Sequence, residues 1–149
     1  MIVASPPPLP VPADATSIVR VQGGGVQLYR CTAQAIGAAW VLARPAATLY
    51  DGDGATFGEH GAGPSWTARD GSSIVADGKA PLATFSPSTA VPWLVLRVVT
   101  HAGSGVFGDA RYVERYDTAG GLAPSTGCTS ADVGALHAVH YSAVYEFFR

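Results

Sequence analysis

Between residue 17 and the C-terminus, no apolar run lasts long enough to build a helix face before glycine, aspartate or proline interrupts it. The interruptions recur at roughly ten-residue intervals, the pattern of sandwiches and barrels whose short strands alternate with tight turns. Gly23-Gly24-Gly25, Asp51-Gly52-Asp53-Gly54, Asp70-Gly71, Asp77-Gly78 and Gly103-Ser104-Gly105 supply the turns, since Gly and Asp tolerate the positive φ that hairpins need. Strands are predicted over residues 17–22, 26–32, 38–43, 48–51, 55–60, 65–68, 73–76, 93–101, 106–118 and 136–148. A short helical turn is predicted only at 130–134, where its length makes it marginal by itself. The expected fold is all-β, an antiparallel sandwich or closed barrel of about 8–10 strands.

Side chains alternate across a strand, so the faces can be read with period two. On strand 93–101, Trp93, Val95, Arg97, Val99 and His101 share one face and Leu94, Leu96, Val98 and Thr100 the other; both faces read as buried. Arg97 among valines then calls for a counter-charge, because an unpaired buried cation is costly, and Glu114, Glu146 and Asp117 are the candidate partners. On 106–118, Tyr112, Glu114 and Tyr116 oppose Arg111, Val113, Arg115 and Asp117. On 136–148, Tyr141, Ala143, Tyr145 and Phe147 oppose His140, Ser142, Val144, Glu146 and Phe148.

A chain of 149 residues buries about 68–70% of the surface it would expose unfolded, enough for one core. Residues 14–149 are expected to form a single β-domain. Residues 1–13 hold five of the eleven prolines and read as an extended, polyproline-like arm. Only 13% of residues are charged, about half the usual share, and the net charge of −2 offers no long-range attraction for nucleic acid or an anionic membrane. No stretch approaches the ~18 apolar residues of a membrane span. The N-terminus lacks the basic and apolar regions of a signal peptide, so an exported protein is expected to have Met1 in place of a removed signal. Nothing in the pattern fixes an oligomeric state.

The side chains best suited to touch a ligand crowd into residues 58–72, where His60, Trp66, Arg69 and Asp70 stand among four glycines and a proline. Trp66 can stack on a sugar or aromatic face while His60, Arg69 and Asp70 supply directional polar contacts; the competing reading makes Trp66, beside Pro64, a plug at the end of the core. A His60–Asp70 general-base pair, with Ser65 or Ser72 nearby, would suit a small hydrolase. The local context favours an Asp70–Ser72 turn bond instead, and no Gly-x-Ser-x-Gly elbow is present. His137 and His140, three apart on a strand, point to opposite faces and cannot chelate one ion together. Asp51-Gly52-Asp53-Gly54 lacks the bidentate glutamate of a calcium loop and reads as a hairpin turn. No metal and no cofactor is expected. The leading functional expectation is non-enzymatic binding of a small molecule or glycan, with self-association through apolar strands as a further possibility.

Cys31 and Cys128 allow one intramolecular pair, whose loop would stabilise an exported domain by roughly 4–5 kcal/mol; two separate thiols in a cytosolic protein is the other reading. No C-x-x-C occurs, which removes support for thioredoxin-like chemistry or a zinc ribbon.

Several blocks resemble a family of secreted bacterial and fungal β-rich domains of unknown function. They are Gly25-Val26-Gln27-Leu28-Tyr29-Arg30-Cys31, the segment with His60, Gly63-Pro64-Ser65-Trp66 and Asp70-Gly71-Ser72, and Pro92-Trp93-Leu94-Val95-Leu96. Arg115 to Pro124 with Cys128, and Tyr141 to Phe148, complete the set. The resemblance implies export to a secreted or periplasmic location, a Cys31–Cys128 bridge and a β-rich fold, and it implies no reaction.

Overall fold

The computed structural model describes residues 9–149, and strands dominate them. In chain order they are β1 (Ser17–Ala33), β2 (Ala38–Tyr50), β3 (Thr56–Gly61), β4 (Ser65–Ala68), β5 (Ser73–Ala76), β6 (Ala83–Phe85), β7 (Trp93–Ala102), β8 (Tyr112–Gly120) and β9 (Leu136–Phe148). The predicted helical turn is a single 3₁₀ turn, Ser130–Asp132, capped by Thr129. All neighbouring strands are antiparallel, in the order β5-β4-β3-β2-β1-β9-β8-β7-β6. β5 also pairs with β7, from Ser73↔Ala102 to Ala76↔Val98, so the sheet closes on itself as a barrel. Only β6 lies outside the ring, bonded to the start of β7. Closure removes the edges an open sheet would expose, and a ring of about eight strands leaves room for packed side chains or one small ligand.

Three predicted boundaries are corrected. Gly23-Gly24-Gly25 is no turn: β1 runs straight through it, paired with β2 and β9 on either side. These glycines provide space. A Cβ on Gly23 would sit 2.6 Å from the Tyr145 ring, and one on Gly25 would sit 2.1 Å from the Ala46 carbonyl oxygen. Residues 38–50 form one strand, in which a register shift leaves Ala43 without a partner on β1 just before Pro45, which has no N–H to give the ladder. Residues 106–111, read as the start of a strand, belong to the loop between β7 and β8. β6, three residues long, was too short for its pattern to register.

Alternation assigns the inner face as expected on β9: Tyr141, Ala143, Tyr145 and Phe147 lie in the main core, while Val144 packs outside with Trp93 and Tyr116. Leu9 joins that outer cluster. The arm expected over residues 1–13 lies outside the described residues as far as residue 8. Arg97 is exposed and makes no ion pair, because the outer cover of β7 ends with Val95; among the described residues the one salt bridge is Arg111–Asp14, at 3.2 Å on the surface.

The two ends of the barrel differ. At one end lie the β2–β3 and β4–β5 turns, the β7–β8 loop and both termini of the domain, joined by backbone bonds between Thr16 and Arg149. Phe107, from the β7–β8 loop, is fully buried there against Phe57 and Phe147, with ring centroids 5.8 and 4.6 Å away. At the other end lie the β3–β4 turn, the start of β7 and the segment after β8. That segment is tied to β1 by the Cys31–Cys128 disulfide, across a sequence separation of 97.

Candidate functional site

The end opposite Phe107 contains a cavity of about 610 Å³. Its apolar wall comes from Leu42, Val91, Leu94, Leu96, Val113 and Leu122, contributed by strands and loops far apart in sequence. Trp66 and Tyr145 line the cavity and also belong to the packed core, which makes them its floor. Leu42 and Leu122 are about half exposed and form the lip. Leu122 sits on the segment that the disulfide anchors, so the bridge helps shape this entrance.

His60, on β3, is buried and lines the cavity beside Trp66. Its Nδ1 lies 2.8 Å from the Ser65 carbonyl oxygen, and its ring stacks on Trp66 at 4.5 Å with planes 14° apart. Burial is the main reason its pKa falls to about 4, with the Arg115 charge adding to the effect. It is therefore a neutral imidazole at neutral pH. Trp66 is 2% exposed and has one ring face covered by His60, so it is a wall of the barrel and does not present an open platform.

Arg69 and Asp70 are exposed on the β4–β5 turn at the plugged end, and neither lines the cavity. Asp70 Oδ1 accepts from the Ser72 amide at 2.9 Å and the Ser72 hydroxyl at 2.6 Å, and its Oδ2 accepts from the Val106 amide at 2.7 Å. These bonds hold its carboxyl below the usual range. The Phe107 amide donates to the Ser72 hydroxyl at 3.2 Å. Together Asp70 and Ser72 clamp the loop that carries the plug. His60 and Asp70 make separate bonds toward opposite ends of the barrel, so the geometry does not assemble the base pair of a hydrolase. The segment 58–72 thus serves both ends, with His60 and Trp66 at the cavity and Asp70 at the plug.

Beyond His60 and Trp66, the sequence does not single out the polar side chains that line the cavity as site residues. Gln27 on β1 is buried, and its Oε1 finds no hydrogen-bond partner among the described residues; the same holds for the Trp66 Nε1. An unmet buried amide oxygen or indole N–H is expensive, and Glu114 Oε2, away from the cavity, is a third such atom among the described residues. Tyr29 lines the same wall, and its hydroxyl donates to the Gly121 carbonyl. Arg115 projects from β8 on the same face as Val113, and its Nε donates to the Pro92 carbonyl at 2.9 Å. The hydroxyls of Tyr141 and Tyr145 lie 2.8 Å apart; burial raises both pKa values and the Arg115 charge opposes the rise. Period-two alternation puts Arg115 on the face of Val113, which is the available signal, whereas the same alternation makes Arg97 the cation that needs a counter-charge.

The remaining motifs are structural. Asp51 Oδ1 accepts from the amides of Asp53 and Ala55, closing the β2–β3 turn. His101 Nε2 lies 2.6 Å from the Ala110 carbonyl oxygen, and His137 lies against Trp40. Among the described residues, no three His, Cys, Asp or Glu side chains are grouped as metal ligands would be.

A family model matches residues 12–149, a span that takes in all nine strands and every residue lining the cavity. The chain belongs to the DUF3455 family of proteins of unknown function. No curated protein and no solved structure matches it. The cavity, the plug and both cysteines therefore lie within the DUF3455 domain itself. No helix among the described residues is long and apolar enough to cross a membrane.

Proposed function

We propose that this DUF3455 chain is a secreted, non-enzymatic binding module that holds a small, largely apolar molecule in the open end of its barrel. The observation that carries this reading is the cavity, an apolar wall into which the side chains of Gln27, Tyr29, His60 and Trp66 are set. A site of about 610 Å³ is of the size that encloses one small ligand, and a few convergent polar groups on an apolar wall are what fixes such a ligand in place. Coverage of Trp66 by His60 favours an apolar guest over a glycan stacked on indole. The disulfide suits an oxidising compartment and supports export. In this reading residues 14–149 act as the binding domain and the proline-rich residues 1–13 as a tether.

Calorimetric titration with a panel of medium-chain alcohols, acids and amines, alongside mono- and disaccharides, tests the proposal. Saturable one-to-one binding of apolar members is expected, together with its loss in Leu94→Trp, which fills the cavity from its wall. Saturable binding of saccharides alone, or apolar binding that is unchanged in Leu94→Trp, would refute it.

A further inference from the structure

The cavity is electrically one-sided. Arg44, Lys79 and Arg115 line it, and no aspartate or glutamate does, although the chain as a whole carries a net charge of −2. Arg44 and Lys79 are exposed at the rim, where water solvates them and their charge needs no partner. Arg115 differs. It is half-buried on the inner face of β8, beside Val113; its Nε donates to the Pro92 carbonyl and its guanidinium also bonds the Tyr145 hydroxyl, which leaves three of its N–H groups without a partner among the described residues. A guanidinium offers five N–H donors, so most of the group is left to be satisfied from the cavity.

No carboxylate of the chain neutralises it. Glu114 and Glu146 flank Arg115 in sequence and register but occupy the outer face, where Glu146 takes the hydroxyls of Ser17 and Tyr116. Asp70 is committed to the plug at the other end. Residues 1–8 contain no acid, and the one ion pair among the described residues is Arg111–Asp14. A half-buried arginine with no internal counter-ion, facing an apolar chamber, is a ready partner for an anionic head group, which its planar fork can hold through two bonds at once.

We propose that the ligand is an amphipathic monoanion, a carboxylate on an apolar chain or ring, seated with its head on Arg115 and its tail against Leu94, Leu96 and Trp66. This deepens the binding-module reading and rests on it. Arg44 and Lys79 at the rim draw the anion toward the entrance, and the apolar wall selects for the tail.

Three probes that share one tail separate the two claims: decanoate, decanol and decylammonium, each titrated calorimetrically into the wild-type protein. Decanoate is expected to bind at least tenfold tighter than decanol, with decylammonium weakest. In Arg115→Gln the decanoate advantage collapses to within about twofold of decanol, while Arg115→Lys, which keeps the charge without the fork, restores part of it. Equal binding of decanoate and decanol by the wild-type protein would overturn the anion assignment and leave the cavity reading standing. Failure of all three probes to saturate would overturn both. A decanoate preference that survives Arg115→Gln but disappears in Arg44→Gln or Lys79→Gln would overturn the role of Arg115. The wild-type comparison needs no variant, so a misfolded Arg115→Gln protein does not rescue the proposal from a negative result.

Discussion

Replacing Phe107 with alanine tests the idea that one end of the barrel is closed by a packed plug. The ring is fully buried in the main core and lies against Phe147 at 4.6 Å and Phe57 at 5.8 Å, so truncation leaves a hole in that core. Phe→Ala changes at such sites cost about 3–5 kcal/mol through lost transfer energy and the residual cavity. In a domain of this size each kcal/mol lowers Tm by roughly 2–4 °C, so a fall of about 6–20 °C is expected. Urea denaturation followed by far-UV circular dichroism gives the free energy directly. Phe107→Leu, which refills much of the space, should recover most of it. A cost below about 1 kcal/mol for Phe107→Ala would refute the plug, because it would mean the ring does not support the core it touches. The clamp can be checked in the same material: Asp70→Ala should speed hydrogen exchange at the Val106 and Phe107 amides, with little change in β9.

Three further outcomes follow from other parts of the molecule. Cys31→Ser with Cys128→Ser removes a tie across 97 residues and should lower stability by up to about 4–5 kcal/mol in urea melts, a loss that reduction of the wild-type protein reproduces. His60 has a folded pKa lowered by burial to about 4, so the unfolded chain takes up its proton first; stability contributed by the neutral ring is complete above pH 6.5 and falls by about 3 kcal/mol as pH drops through 4. A signal assigned to the His60 imidazole that titrates near pH 6.5 by NMR would contradict this. Glu114 has the opposite sign: burial first, and the facing Glu146, raise its pKa to about 7 despite the Leu9 amide, while Tyr116 and Arg20 face the same pair. The folded state therefore holds this proton more tightly, and stability declines as pH rises from about 4.5 to 7, by about 1–2 kcal/mol once screening near the surface is allowed for. Glu114→Gln should flatten that limb of the pH profile.

Much of the barrel was legible from the positions of its turns. β3, β4, β5, β7 and β9 begin and end within a residue or two of their expected bounds, because each is bracketed by Gly, Asp or Pro and shows clear alternation. The glycine triplet misled for a physical reason: the same residue type serves positive φ in a hairpin and close approach in a strand, and only the neighbouring Tyr145 ring and the β2 backbone tell which applies. The site was legible in part. His60 and Trp66 do line the cavity, but Arg69 and Asp70, their neighbours in sequence, are carried to the far end by the direction of β4. Gln27, Leu94, Leu96, Arg115 and Tyr145 meet only because the sheet closes, and no local pattern records closure between β5 and β7. Arg115 shows the limit most clearly. Alternation gives its face, while the exposure of Arg97 depends on an outer cover from β6 and Leu9, too short and too distant to be read.

The central claim is that the open end of the barrel takes up a small apolar molecule, and the protein carries its own reporter. Of the three tryptophans, Trp66 alone borders the cavity; Trp40 bonds to the Thr126 carbonyl on the outside, and Trp93 packs in the outer cluster. In a Trp40→Phe, Trp93→Phe protein all tryptophan emission comes from Trp66, and titration with decanoate and decanol reads the cavity directly. The account predicts a saturable change in Trp66 emission with at least one of them, at one equivalent per chain. Emission that stays constant through saturating concentrations of both, in a protein with an unchanged circular dichroism spectrum, would contradict it.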